Sequence, residues 1–592
     1  MLKNIKSYFT KFKGLQSLPE RYFFPVVLLL YPFFGITKGL DIVDTTYNLG
    51  NYEFMGNVDP MWLFSTFLSN FFGNIIMKFP GAGTILGFSV YCTFIISAMA
   101  LVSYYVLQKW IPGRMVFIGE IIAESLCWAP RVILYHYLPY LLVTVGTLLL
   151  IRGVFSKEKQ EILLFAAGVC LGLNVLMRFP AIIDCVLILV LWFNSFIAKD
   201  KFADVAKKTG ICIGGYAAGF GVPLFLISLR YGFNAYPDAI SKLFAMTGEA
   251  TDYSSGGMIA DIMEAYTHTL GNMLIMIPCL AAGTVMFLVA KKNYVLLKKF
   301  LYIAGLLLLA VYYVKKDVFS RNYYYYESMF QAVMMFLIIT VILTIADVSG
   351  FFNGGVEERT ISFAALMLIF ILPIGSNNRT MPLVNCLFFV APAGLWIIQR
   401  FSQRFVDNEW IFAWQAMITG VIVVLLVQGA IFHARFSFAD HNEATPELKL
   451  DTKVTDIAKA NGLVTTKDNY NSLCELKACL EDNGLIQGKA LLFGNVPGLS
   501  YIFDMEPAID TTWPDLDSYS ISSFRDSLDK LNSSDDSKPA VIVGKLDDVM
   551  LDNPNIKAKN EMLLDYIEKH DYNIIFESEN FVVYSAQNES EE

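Results

Sequence analysis

The sequence predicts a polytopic α-helical membrane protein with an α/β domain at its C-terminal end, and three observations support this fold class. Of the 592 residues, 55% are hydrophobic and only 17% are charged, which is rare for a soluble chain of this size. Thirteen apolar segments, the third and eleventh of them short, approach the roughly 17–25 residues that a membrane span needs. Residues 437–592 contain 30 Asp and Glu against 13 Lys and Arg, a net charge of −17, which leaves +8 on residues 1–436.

These features divide the chain into a basic N-terminus (1–21), a transmembrane domain (22–436) and a C-terminal α/β domain (437–592). The first apolar segment lacks a small-residue cleavage site and leads into further spans, so we interpret it as a span rather than a cleaved signal peptide. The predicted spans cover residues 22–40, 82–107, 115–130, 132–151, 161–177, 181–198, 209–229, 270–290, 296–314, 328–346, 360–375, 381–398 and 411–432.

Basic residues predict the orientation of the spans. The N-terminal stretch MLKNIKSYFTKFKGLQSLPER carries five Lys or Arg residues, and every second loop is basic as well, for example QKWIPGR, AKDKFADVAKK and QRFSQR. Basic loops of membrane proteins face the cytoplasm. We therefore expect a multi-pass plasma-membrane protein with a cytoplasmic N-terminus and an extracytoplasmic C-terminal domain.

The outer loop 41–81 is acidic where it leaves the first predicted span, and it is expected to carry interfacial helices. The stretch GLDIVDTTYNLGNYEFMGNVDP contains Asp41, Asp44, Glu53 and Asp59 and no Lys or Arg. A helix is predicted directly behind Asp44, which makes Asp44 a natural N-cap. The following MWLFSTFLSNFFGNIIMKF has separate apolar and polar faces, which is typical of a helix lying in the membrane interface.

The carboxylates of Asp41 and Asp44 have two interpretations. They can be acidic simply because of topology, with Asp44 capping a helix. Alternatively, since a carboxylate at the bilayer edge usually faces a cavity, one of them is a general base, which must be ionised near neutral pH and must reach the proton that it takes. Asp44 is the first candidate and Asp41 the second.

Six basic residues in the outer loops depart from the positive-inside trend: Arg131, Arg178, Lys315, Lys316, Arg321 and Arg379. Each alone is compatible with snorkelling to lipid headgroups. Six on one side favour an anionic ligand shared by some of them, because Arg and Lys both bind phosphate. Four tyrosines, Tyr323 to Tyr326, follow Arg321; they suit an interfacial belt or a stacking surface for a sugar.

Other polar residues of the apolar segments are weaker candidates. Glu120 and Glu124 lie four residues apart, hence on one helix face, and are expected to point to the protein interior, either in polar packing or at the cavity. His136 and His268 are isolated, which favours a packing or hydrogen-bonding role over metal ligation. No metal-type cysteine pair is present among the nine cysteines, so no metal site is predicted.

An early outer Asp, an amphipathic helix behind it, about thirteen spans and an outer C-terminal α/β domain together resemble the membrane glycosyltransferases of the C-type (GT-C) fold. The sequence is most similar to the dolichyl-phosphate-mannose protein mannosyltransferase-like group (glycosyltransferase family 39-like), which includes aminoarabinose transferases. In that group an Asp ends the first span and an aromatic residue follows; DTTYNLGNYEFM places that Asp at Asp44. The group commonly has Asp-Glu where this chain has Asp44-Thr45. The segment GNVPGLSYIFDMEPAIDTTWPDLDSY also resembles tails of bacterial members.

The resemblance implies metal-independent, inverting transfer of a sugar from a polyprenyl-phosphate donor to a hydroxyl of an envelope glycan, lipid or protein. It implies Asp44 as the general base. Neither a further cofactor nor a nucleic-acid partner is expected. The implied residues that bind the lipid phosphate or the sugar are Arg131, Arg178, Lys315, Lys316, Arg321, Tyr323, Glu124 and His136.

Two other classes of protein compete with a transferase. A transporter or lipid flippase would also place polar residues within spans, but such proteins often have duplicated halves, and none is evident in the sequence. An envelope polysaccharide polymerase or ligase would have a similar number of spans. Those proteins usually carry their large outer loop between spans, whereas the soluble part of this chain is C-terminal.

Overall fold

The computed structural model describes residues 17–128, 130–156, 158–248, 254–289, 294–323, 325–405, 408–438, 449–533, 538–546 and 548–586. Two regions are evident in this part of the chain. A bundle of apolar helices extends from Pro19 to Arg435, and a small α/β domain follows from Thr452. The predicted fold class, a polytopic α-helical membrane protein with a C-terminal α/β domain, is confirmed.

All thirteen predicted spans contain a helix. Within the described residues, eight helices are long and apolar enough to cross a membrane, and the number rises to nine if a pair bent by 42° is counted as one broken span. The first, third, eleventh and twelfth predicted spans are shorter helices. In chain order the bundle helices are Phe24–Leu30, Ile85–Leu107, Gly113–Ser125, Leu134–Phe155, Gln160–Met177, Phe179–Ala198, Phe202–Tyr231, the bent pair Ser255–Met273 and Met276–Val289, Val295–Lys315, Tyr326–Val348, Val356–Ile371, Val390–Arg404 and Ile411–Arg435.

One end of the bundle, here called the domain face, contacts the C-terminal domain. It includes loop 34–84 and the helix ends at Ile85, Leu134 and Met177. Its shorter helices are Asp44–Glu53, Pro60–Ser65, Phe67–Met77, Ala235–Gly248 and Met381–Asn385. The predicted interfacial helix is thus two helices, since the chain breaks at Thr66.

The C-terminal domain is built on a five-stranded mixed sheet. Its strands are β3 (Lys489–Phe493), β4 (Glu506–Pro507), β5 (Ala540–Gly544), β6 (Tyr572–Glu577) and β7 (Phe581–Ala586). Two further strands, β1 (Thr452–Lys453) and β2 (Val464–Thr465), form a separate antiparallel pair. The order is β4-β3-β5-β7-β6, with β3 parallel to β4 and β5, and β7 antiparallel to β5 and β6. The helices are Lys467–Asp482, Leu499–Ile502, Ile521–Asn532, Asp548–Asp552 and Pro554–Lys569. The sequence predicts strands in ALLFGN, AVIVGK and NIIFESENFVVYS, and these three segments form β3, β5 and the β6–β7 hairpin.

The domain and the domain face share one hydrophobic core. Leu40, Ile42 and Leu49 of the loop are fully buried together with Phe88 of the bundle and Leu499 of the domain. Burial of apolar side chains is the main favourable term in such packing. The loop that carries Asp41 and Asp44 is therefore held between the bundle and the C-terminal domain.

Candidate functional site

The helix Asp44–Glu53 begins at Asp44 itself, with Val43 as its N-cap residue, so the prediction that Asp44 caps this helix is wrong. Asp41 makes the capping contacts instead. Its Oδ1 accepts from the Val43 N–H at 2.9 Å and its Oδ2 from the Thr45 N–H at 2.7 Å. The chain turns back on itself between residues 41 and 45, which brings the carboxylate of Asp41 onto N–H groups that the first helical turn leaves without partners.

The carboxylate of Asp44 is half-buried and accepts no hydrogen bond from any residue that the structure describes. Burial and the negative charge of Asp41 raise the pKa of Asp44 from 3.8 to about 7. Burial also raises the pKa of Asp41, but the two N–H donors oppose that effect. The pair thus combines one carboxylate held by the main chain with a second that is free to exchange a proton near neutral pH.

Arg131 and Lys38 line one cleft of the domain face. The Arg131 Nη2 donates to the carbonyls of Pro32 at 3.0 Å and Phe34 at 3.1 Å. The Lys38 Nζ donates to the Ala434 carbonyl at 2.7 Å. Both cations are bound by main-chain oxygens, which stabilise their positions without neutralising their charge.

His433 adds an imidazole ring to this cleft, and Trp128 forms an aromatic wall. The His433 Nε2 lies 3.0 Å from the Tyr31 carbonyl oxygen. Trp128 stacks on Tyr326 at a centroid distance of 4.5 Å, and its indole N–H has no partner among the described residues. Thr45, the residue after Asp44, lines the same cleft, and no carboxylate does so within the described chain. Such a set of N–H donors without an acidic partner can hold an anion.

Sequence reasoning missed Lys38 and His433. Lys38 fell inside the predicted first span, 22–40, yet that helical stretch ends at Phe33. Gly35 follows with a φ of +76°, a conformation that L side chains rarely adopt. Gly35 and Lys38 at the end of an apolar run were the signal for an earlier helix end.

Arg178 lies in a different cleft, so the predicted cations do not form one shared set. The Arg178 Nη2 donates to the Gly375 carbonyl at 3.1 Å. In the same cleft the Asn174 Nδ2 donates to the buried Asp184 Oδ2 at 2.7 Å, and Asn174 Oδ1 has no described partner. His136 is near this cleft, with its Nδ1 3.5 Å from the hydroxyl of the lining residue Tyr140. The sequence did not single out Asp184, an isolated acid in an apolar run.

The other predicted cations are on the surface. Lys315 and Lys316 are exposed. Arg321 pairs with Asp317 at 3.4 Å, and Arg379 pairs with Glu327 at 3.3 Å. These positions fit the snorkelling interpretation better than a shared ligand. Tyr323 is 6% exposed and packs in the core, and its neighbour Tyr324 lies outside the described residues.

Glu120 and Glu124 face the interior of the bundle, as predicted. Both are fully buried, at 0% and 1% exposure, and none of their carboxylate oxygens has a partner among the described residues. Neither lines the two clefts of the domain face. Of the two predicted alternatives, the interior packing position is the one observed.

No three His, Cys, Asp or Glu side chains converge as metal ligands within the described ranges. That the reaction needs no metal stays a prediction.

No protein-family model and no curated protein matches this sequence, but solved structures are similar to it. ArnT from Cupriavidus metallidurans bound to undecaprenyl phosphate matches with a TM-score of 0.50 and 8% identity over 96% of this chain and 98% of that one. The apo form of that ArnT gives a TM-score of 0.42 at 10% identity, covering 95% and 96%. The archaeal oligosaccharyltransferase AglB from Archaeoglobus fulgidus, in complex with an inhibitory peptide and a dolichol-phosphate, gives 0.45 at 11% identity, covering 97% and 75%.

The match to undecaprenyl-phosphate-bound ArnT extends over nearly the whole of both chains. It shows that this protein has the GT-C fold, which confirms the fold that the sequence resemblance implied. The low identity means that the roles of individual residues have to be argued from this chain alone.

Proposed function

We propose that this protein is a glycosyltransferase that moves a sugar from a polyprenyl-phosphate donor to an acceptor hydroxyl at the domain face. The observation that carries the proposal is the free carboxylate of Asp44, which has a pKa of about 7. The next residue in the sequence, Thr45, lies in the wall of the cationic cleft. A base poised near the working pH and a site for a phosphate are the two parts that such a reaction needs.

The proposed reaction is a single inverting displacement. Asp44 takes the proton of the acceptor hydroxyl as its oxygen attacks the anomeric carbon. The bond between that carbon and the phosphate oxygen breaks through an oxocarbenium-like state, and its electron pair leaves with the polyprenyl phosphate. Asp41 holds the first helical turn in place and keeps the pKa of Asp44 high.

The leaving phosphate gains charge as the bond breaks, and the cleft that holds Lys38 and Arg131 can stabilise it. Arginine and lysine suit phosphate by geometry and by charge. The undecaprenyl phosphate bound to ArnT, a protein of the same fold, supports this class of donor. Arg178, in the second cleft, and His136, beside it, remain candidates for contacts with the sugar.

We further propose that the domain face is extracytoplasmic and that the N-terminus is cytoplasmic, since the basic loops lie at the other ends of the spans. The division of the chain into residues 1–21, 22–436 and 437–592 follows this orientation. Acceptor sugars, lipids or proteins of the envelope would then meet Asp44 outside the cell membrane.

The test is mass spectrometry of envelope glycans, glycolipids and glycoproteins from cells with the wild-type chain, without it, and with Asp44→Asn at matched expression. We expect one sugar modification to be present with the wild type and absent in the other two samples. Unchanged products in all three would overturn the proposal. A flippase would give a different result. A lipid-linked precursor would accumulate on the cytoplasmic side in cells without the chain, and Asp44→Asn would be fully active.

A further inference from the structure

We propose that the C-terminal domain is a clamp that holds the loop carrying Asp41 and Asp44 in its active geometry, with Lys459 as the positioning residue behind the helix. The inference rests on the proposed function, because it gives the loop a catalytic role. Three separate contacts between the domain and the loop support it: one before Asp41, one beside it, and one at the far end of the helix Asp44–Glu53.

The first contact extends a sheet of the domain. The Gly39 N–H donates to the Val464 carbonyl at 2.9 Å, and the Val464 N–H donates to the Thr37 carbonyl at 2.8 Å. Lys38 forms a parallel bridge with Val464 of β2, so the loop segment lies beside the β1–β2 pair as a third strand. Strand addition of this kind fixes register through main-chain hydrogen bonds.

The second contact is a close approach beside Asp41. The Gly498 N–H donates to the Ile42 carbonyl at 2.9 Å. A Cβ atom on Gly498 would collide with the Thr46 side chain, so only glycine allows the domain to come this near. The Thr46 hydroxyl in turn donates to the Asp41 carbonyl at 3.0 Å. The main chain on both sides of Asp44 is therefore held.

The third contact is an ion pair at the end of the helix. The Lys459 Nζ lies 2.5 Å from the Glu53 Oε1 and 4.6 Å from the centre of the Tyr501 ring. The two charged side chains are only 18% and 25% exposed, and the second oxygen of Glu53 is buried without a described partner. Asp504 lies near the same ammonium group, at 3.8 Å. Removing Lys459 would leave a half-buried carboxylate without its counterion.

The helix needs such support because it has only ten residues. Isolated helices of this length are marginal in water, and Asp44 is in its first turn, where fraying begins. Loss of the Lys459 contact at the last turn should therefore loosen the helix and change the position of the base.

The test compares Lys459→Met with Lys477→Met in the full chain in lipid nanodiscs. Lys477 forms a more exposed pair with Glu481 at 3.1 Å in the same domain, with the two side chains 30% and 52% exposed, and is the matched control. We expect amides of residues 43–53 to exchange hydrogen at least about tenfold faster in Lys459→Met only. We also expect sugar transfer by Lys459→Met to fall by about tenfold. The acidic limb of its pH profile should move to lower pH than in the wild type, because a looser loop exposes Asp44 to water and lowers its pKa, while Asp41 remains its charged neighbour.

A charge swap tests the positioning role against a general loss of folding. The double variant Glu53→Lys with Lys459→Glu should regain slow exchange and most of the transfer rate, and Lys459→Arg should resemble the wild type. Unchanged exchange in Lys459→Met would overturn the clamp, as would faster exchange with an unchanged transfer rate. Asp44→Asn is measured in the same preparations: if it is fully active, the proposed function fails, and with it the catalytic meaning of the clamp.

Discussion

One end of the helical bundle contains a fully buried acid and the other a half-buried acid, and the two acids also differ in their partners. Asp347, at the end of the helix Tyr326–Val348 away from the domain face, is fully buried. Its Oδ2 lies 2.7 Å from the Arg400 Nη1 and also accepts from the Ser362 hydroxyl. Asp44, at the domain face, accepts no hydrogen bond from the described residues.

The cations of the two ends differ in the same way. Arg400 is neutralised by Asp347 and by Glu358, whose Oε2 lies 2.9 Å from its Nη2. Within the described part of the chain, Arg131 donates to main-chain carbonyls and forms no ion pair. One end is thus a closed structural network. At the other end, the described residues leave the Asp44 carboxylate and the Arg131 guanidinium without an ion-pair partner. In this molecule the partners of a charged residue, more than its type, distinguish a structural role from a chemical one.

Breaking the closed network should have a large effect on stability and a small one on activity. Removing one member of a buried ion pair costs about 3–5 kcal/mol, so Arg400→Met should lower the free energy of unfolding by roughly that amount. The measurement is unfolding in detergent micelles, with sugar transfer assayed per folded molecule. A stable Arg400→Met protein without transfer activity would contradict the distinction between the two ends.

Removing a cation from the open end should reverse that pattern. Lys38→Met should weaken binding of undecaprenyl phosphate by about tenfold or more, since a charge-assisted hydrogen bond contributes about 1.5–3 kcal/mol. Thermal stability should change little. Native mass spectrometry of the full chain with added lipid measures the affinity, and the exposed Lys316→Met is the control. Equal losses in both variants would show that the lipid senses surface charge and not this cleft.

The pH dependence sharpens the contrast between the acids. Because the pKa of Asp44 is raised to about 7, transfer should fall about tenfold per pH unit below that value, as the base becomes protonated. Ionising Asp44 between pH 3.8 and about 7 costs folding free energy, since its pKa is higher in the folded than in the unfolded chain. Asp44→Asn should therefore keep or raise the thermal midpoint. A rate that is flat down to about pH 5 would contradict the assignment.

Chelation should have the smallest effect. We expect sugar transfer by the purified chain to continue unchanged in EDTA, because the cations at the open end can stabilise the phosphate without a divalent ion. The measurement is the transfer rate before and after exhaustive chelation. Loss of activity that a divalent ion restores would contradict a metal-independent reaction.

The sequence was sufficient for the fold because span length and charge bias are local properties. All thirteen predicted segments contain helices, and β3, β5, β6 and β7 of the α/β domain lie in the three β-rich segments that the sequence predicts as strands. The site was harder, because it depends on the path of the main chain and on distances between segments. The capping role predicted for Asp44 belongs to Asp41 because of one tight turn. Arg131 and Arg178 look equivalent in sequence, yet they line separate clefts, and Lys38 was hidden in an apolar run.

The central claim is that Asp44 is the base and Asp41 its support, and single-turnover transfer from a purified polyprenyl-phosphate sugar tests it most directly. Asp44→Asn and Asp41→Asn are compared with the wild type in nanodiscs, per folded molecule. We predict that Asp44→Asn loses about 10³-fold, within the usual range for a general base, whereas Asp41→Asn loses far less. Full activity of Asp44→Asn beside an inactive Asp41→Asn would contradict the account.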